Sequence, residues 1–186
     1  MSSWRSGEET AELVGRLCAV ERRLHSTLGV ASLAVPSAGV TVVLDELSLQ
    51  HAWHAELLSE RLPHRDGVDR EALVDLGPAD ELFDVVDRYS RSGDQVGVLT
   101  LYAVYLLPRL LTTVSELAEG CSPAAERSLQ RACGLIELDS SNALGVVDEL
   151  RKQRAWATSA RAHAERALAE ADRASVAGGL DAQKLI

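Results

Sequence analysis

Between Val40 and Leu62 the chain reads VTVVLDELSLQHAWHAELLSERL, and this stretch restricts the possible folds more than any other. At 100° per residue Val40, Val43, Leu44, Leu47, Leu58 and Leu62 fall in one stripe. His51 and His54 lie inside that stripe, whereas Asp45, Ala52, Glu56 and Glu60 lie opposite. The spacing predicts an amphipathic helix that turns two imidazoles, one turn apart, into a core. An imidazole is costly to bury without a hydrogen-bonding partner. Other segments must therefore bring polar groups to these two rings.

The remaining patterning is also helical. No run alternates in the manner of a strand between hairpin turns, and apolar residues, 46% of 186, suffice for one domain with a core. The class is all-α. Ser6-Gly-Glu-Glu9 matches a capping box and predicts a first helix from Gly7. Its stripe is Leu13, Val14, Leu17, Val20, Leu24 and Leu28, and Glu21 projects within it. A carboxylate centred on an apolar face needs either a hydrogen-bonding histidine or a cation to stay ionised.

Pro36-Ser37 separates this helix from the second, so the two are expected to form an antiparallel hairpin, and Pro63 stops the second. Pro63–Gly77 is turn-rich and polar, a crossover or a surface excursion carrying solvated His64, and Ala79–Arg91 reads as a short helix. The third long helix runs from Val96 to about Glu119, apolar over more than half its circumference, with a kink expected at Pro108. Its inward line at mid-height, Tyr102, Ala103, Leu106, Leu110 and Thr113, offers no carboxylate. Such breadth implies a second contact surface, a neighbouring helix or another subunit. Ser122-Pro123 starts a further helix past Leu150 with the stripe Ala132, Leu135, Leu138, Ala143, Val146 and Leu150, on which Asp139 and Asn142 fall. The core is thus expected over about 7–150, and an Ala-rich helix over about 151–176 with a seam of Trp156, Ala160, Ala164, Ala167 and Ala171. A frayed tail over 177–186 completes the single domain.

A net charge of −9 argues against nucleic acid and against an anionic membrane surface. Three widely spaced cysteines, Cys18, Cys121 and Cys133, with no C-x-x-C, fit reduced thiols. The opening MSSWRSGEET has no apolar run of signal-peptide type. The apolar run Val96–Leu107 is too short to span a bilayer. A cytoplasmic protein is expected, without nucleic-acid or membrane partners.

Glu21, the His51-x-x-His54 pair and Asp139-x-x-Asn142 sit at the middle of three apolar faces. The i,i+3 spacing places two groups on one helix face within reach of one ion. This pattern resembles the ferritin-like superfamily over roughly Gly7 to Leu150. The resemblance implies an antiparallel four-helix bundle with a long crossover, here containing the short helix. It also implies one Glu from each of two helices and an E-x-x-H pair from each of the other two. Glu21 matches a lone Glu. His51-Ala-Trp-His54 stands where E-x-x-H is expected, with His for Glu; Asp139-Ser-Ser-Asn142 stands in the corresponding place on the last helix; the third helix brings no acid. An intact dinuclear site is therefore not expected.

Glu21, His51, His54 and Asp139 remain as ligands for a single divalent ion, Fe, Mn or Zn, with Asn142 behind them. The other arrangement that satisfies them is a metal-free buried network. Two functions follow. One is a metal- or small-molecule-binding helical protein, redox-active if catalytic. The other is a non-catalytic binding or scaffold module. The apolar breadth of Val96–Leu117 and the Ala-rich last helix point to a homodimer.

Overall fold

The computed structural model describes residues 5–33, 38–64, 66–153, 158–180 and 183–186. Among the described residues seven helices follow one another: α1 (Gly7–Leu33), α2 (Ala38–Ser59), single-turn α3 (Arg70–Leu73), α4 (Asp80–Arg91), α5 (Gln95–Gly120), α6 (Arg127–Gln153) and α7 (Thr158–Ala177). No strand occurs among the described residues. The long helices α1, α2, α5 and α6 all contribute to one apolar core.

The capping box forms as its residues require. Ser6 N–H donates to the Glu9 carboxylate at 2.8 Å and Glu9 N–H to the Ser6 hydroxyl at 3.2 Å. The α1 stripe then meets α2 in antiparallel order: Cys18 bonds Ala55, Glu21 meets His51, and His25 bonds Ser48. Each step forward on α1 is matched by a step back on α2. Pro36 and Ser37, the expected separator, lie outside the described residues.

After α2 the chain crosses the molecule through α3, a 3₁₀ turn at Gly77–Ala79 and α4. Asp69 caps α3 by accepting from the N–H groups of Glu71 and Ala72. Polar contacts fix α4 onto α1. Thr27 donates to Asp87 at 2.5 Å, Ser90 to the Thr27 carbonyl at 2.7 Å, and Arg23 pairs with Asp87 at 2.9 Å.

The third long helix, α5, is not uniform. It opens with an α-helical turn over Gln95–Thr100, widens into a π-helical segment over Leu101–Leu106, and resumes as α-helix over Leu107–Gly120. Pro108 explains the position of the widening. It has no N–H for the preceding turn, and Leu107 N–H reaches back five residues to the Tyr102 carbonyl. The proline thus produces a π-segment rather than a simple bend.

At 26 residues α5 is long and apolar enough to cross a membrane, but 67% of its most apolar window is buried inside the protein, as in the core helix of a soluble fold. Much of that cover comes from α7. Ala167 and Ala171 are fully buried, and Tyr105 of α5 donates to Ser175 of α7 at 2.9 Å. The apolar breadth that suggested a subunit contact is therefore largely occupied within the chain. Trp156, expected in the α7 seam, lies outside the described residues, as does the side chain of Ala160.

Two other expectations change. Leu185 is fully buried, its N–H donates to Thr113 at 3.2 Å, and Lys184 pairs with Glu116, so the end of the chain docks on α5. Ser122 and Pro123 form a turn instead of opening α6. The Glu126 carboxylate accepts from Ser122 N–H at 2.7 Å, and the helix begins at Arg127. The inward stripe of α6 is Leu129, Ala132, Cys133, Ile136, Ser140, Ala143 and Val147, whereas Leu138 and Val146 are exposed.

Backbone comes close to α1 at Gly15, where a Cβ would lie 2.2 Å from the Leu73 carbonyl oxygen. Alanine is the better helix former by about 1 kcal/mol, but displacing backbone from a packed site costs about 1–3 kcal/mol. Gly15→Ala should therefore lower the urea midpoint. An unchanged or raised midpoint would mean that α3 moves aside freely.

Candidate metal centre

The antiparallel α1/α2 pairing sets Glu21 opposite the His51-x-x-His54 turn. The Glu21 carboxylate is fully buried, and the two imidazoles are 1% and 0% exposed. Both rings turn Nδ1 toward the same oxygen: His51 Nδ1 lies 2.5 Å from Glu21 Oε2, and His54 Nδ1 lies 3.5 Å from it. The rings stand nearly perpendicular, 5.8 Å apart between centroids.

Each ring is held from behind through Nε2. His51 Nε2 meets the Tyr102 hydroxyl at 2.7 Å, and His54 Nε2 meets Asp139 Oδ2 at 3.2 Å. One polar line therefore runs Asp139–His54–Glu21–His51–Tyr102, with at least one residue from each of α6, α2, α1 and α5. Only Asp139 reaches the surface, its side chain 29% exposed.

Charge follows from these contacts. Burial pushes the Glu21 carboxyl up, but the attraction and hydrogen bond of His51, and then the nearness of His54, outweigh it and hold the group below its usual range. Burial pushes Tyr102 well above the ordinary phenol range, helped by the Glu21 charge, so the hydroxyl keeps its proton. For His54, burial acts downward, but Glu21 and then Asp139 outweigh it and the net shift is upward. With Glu21 ionised, His51 Nδ1 must donate to it. A neutral His51 with its hydrogen on Nδ1 then presents its Nε2 lone pair to the Tyr102 hydroxyl, which in that tautomer donates to it.

His54 is the less settled ring. Asp139 only accepts when ionised, so it fixes the proton on Nε2. In a neutral ring Nδ1 then carries a lone pair facing a carboxylate oxygen, and it makes no hydrogen bond. Glu21 Oε1, also buried, has none either. Two acceptors facing each other in a dry interior repel unless a cation, either a proton or a metal ion, lies between them.

Of the residues singled out from sequence, Glu21, His51 and His54 come together, with one donor atom from each within 4.8 Å of the others. Asp139 joins them, but at the far nitrogen of His54 rather than on the Glu21 side. Asn142 does not join. It is exposed and lines a shallow surface groove with Val43, Gly145 and Val146, because the α6 stripe is rotated away from it. The sequence pattern places Tyr102 on an inward line, as core or pocket residue, without assigning it to this cluster. The usable signal was its hydroxyl, which at mid-height on a buried face had to find a partner.

No protein-family model, curated protein or solved structure matches this chain.

The opposite shifts at Glu21 and His54 predict a stability plateau for protein kept in chelator. Glu21 is lowered on folding, so its contribution is present above the unfolded carboxyl value of about 4.3 and is lost as pH falls through the folded value. His54 is raised, so its contribution is present below about 6.5 and is lost as pH rises through the folded value. Unfolding midpoints should decline on both sides of that window, and His54→Gln should remove the alkaline decline. A wild-type midpoint rising steadily from pH 6 to 8 would contradict the assignment.

Proposed function

We propose that this protein binds one divalent metal ion inside its helical core, through Glu21, His51 Nδ1 and His54 Nδ1. The observation that carries this reading is the convergence of two imidazole Nδ1 atoms on one buried carboxylate, with His54 Nδ1 and Glu21 Oε1 left without hydrogen bonds. Each imidazole also has an outer partner on its other nitrogen, as metal-ligating histidines generally do.

Distances and charge fit. Ligands about 2.1 Å from a tetrahedral ion lie about 3.4 Å from one another. Glu21 and His54 already stand at 3.5 Å, and the 2.5 Å contact between Glu21 and His51 would open by about 1 Å. A dication balances the two carboxylates, Glu21 and Asp139, whereas a monovalent or trivalent ion leaves a net charge in the interior. Imidazole and carboxylate donors suit Fe, Mn or Zn, and three protein donors leave positions open on the ion. Redox turnover with Fe or Mn is the first activity to assay.

The fold we infer with this site is a ferritin-like four-helix bundle of α1, α2, α5 and α6. Support comes from the lone acid on α1, the histidine pair on α2 and the long crossover that carries α3 and α4. The departures are Tyr102 in place of an acid on α5 and Asp139 without a second ligand on α6. Three free, buried cysteines suit a reducing compartment, and we assign the protein to the cytoplasm.

Protein purified without chelator should contain about one Fe, Mn or Zn per chain by elemental analysis, and Glu21→Gln or the His51→Ala/His54→Ala pair should abolish it. Free metal at one hundred times Kd should stabilise the wild type by about 2.7 kcal/mol. Stoichiometric metal persisting in the double variant would place the ion elsewhere. A wild type with neither metal nor stabilisation would leave the metal-free network and a binding or scaffold role.

A further inference from the structure

The two histidines have outer partners of different kinds. Asp139 as a carboxylate can only accept, so it holds His54 with hydrogen on Nε2 and the Nδ1 lone pair toward Glu21. Tyr102 carries a hydroxyl, which donates or accepts by rotating its hydrogen. That difference matters because His51 faces two demands. Beside ionised Glu21 it donates from Nδ1, at 2.5 Å; as a ligand through Nδ1 it must carry its hydrogen on Nε2 instead.

We propose that Tyr102 is a positioning residue with a reversible role: it donates to His51 Nε2 in the metal-free protein and accepts from it once Nδ1 binds the ion. The same two atoms, 2.7 Å apart without metal, are the partners in both states. His51 carries one ring hydrogen in either state, so the change is neutral overall: one proton leaves Nδ1 on the Glu21 side and another reaches Nε2 on the Tyr102 side, exchanged through solvent when the core opens locally. The ring stays satisfied throughout, in an interior where His51 is 1% and Tyr102 0% exposed. A second carboxylate at Tyr102 would fix the ligand tautomer but bring another negative charge into a closed core, and a phenylalanine would leave Nε2 unpartnered in both states.

This contact is made from within the π-segment. Tyr102 is its second residue, and Leu101, Tyr102, Ala103, Tyr105 and Leu106 are all buried there. Among the described residues it is the one interruption of α-helix within a long helix, and it lies beside the imidazoles. Such segments occur disproportionately at functional sites.

The switch rests on the metal reading for its bound half; the metal-free tautomer does not. Long-range ¹H–¹⁵N spectra of histidine-labelled protein test both, with zinc as the diamagnetic probe. In chelator His51 should appear as the Nδ1–H tautomer; with one equivalent of zinc it should change to Nε2–H with Nδ1 bound. Tyr102→Phe should weaken zinc binding about 10–100-fold, while near-ultraviolet circular dichroism confirms native packing. A structural role alone would lower stability and leave zinc affinity unchanged. His51 found as Nε2–H in chelator overturns the proposal whatever the metal result. Nδ1–H in chelator with no zinc bound by the wild type overturns the metal reading, and the switch with it. Full zinc affinity in folded Tyr102→Phe also overturns the switch, while leaving the metal reading in place.

Discussion

An ionised carboxylate with no exposure to water is the constraint on which the rest of this structure depends. Glu21 sits at the centre of an apolar stripe, and its charge is tolerable there only because imidazoles from α2 meet it. Apolar pairing alone would let α1 and α2 slide by a turn at modest cost. The Glu21–His51 contact restricts that freedom, since a one-turn shift would leave a charge and two rings unpartnered. Specificity of register, more than added stability, is what such a buried pair contributes.

The other helices follow from the same requirement. Once α1 and α2 are paired, His51 and His54 each have an outward nitrogen that cannot be left bare. α5 answers one with Tyr102 and α6 answers the other with Asp139. The crossover through α3 and α4 carries the chain from the end of α2 to the start of α5, with Asp87 and Ser90 anchored on Thr27. The chain end then returns to Thr113 on α5. Pro108, one turn and a half beyond Tyr102, sets where the widened segment falls.

Residues whose position depends on a single helical period were legible in the sequence. Glu21, His51 and His54 interrupt strong stripes of Leu and Val, so their inward direction could be read without knowing what they meet. On α6 the same method failed. Apolar residues cover much of its circumference, and the face used for packing is the one with Cys133, Ser140 and Ala143, whose small side chains let the helix approach closely. Leu138 and Val146 are left outside. Choosing the stripe by hydrophobicity rotated the helix by roughly a quarter-turn. That put Asn142 inside when it is exposed, and made Asp139 a central residue when it is an edge one. Tyr102 was placed correctly, but its role was not, because a pattern of apolar positions carries no information about where a hydroxyl points. The docked chain end was missed for a related reason: Leu185 is one apolar residue in a short polar context, and only the fold supplies its pocket.

The direct test of the central claim is an anomalous difference map from crystals grown with cobalt or zinc. The account predicts one strong interior peak about 2.0–2.2 Å from a Glu21 oxygen and from Nδ1 of both His51 and His54, with Tyr102 and Asp139 still on the Nε2 atoms. Peaks confined to surface carboxylates, with His51 Nδ1 still hydrogen-bonded to Glu21, would contradict it.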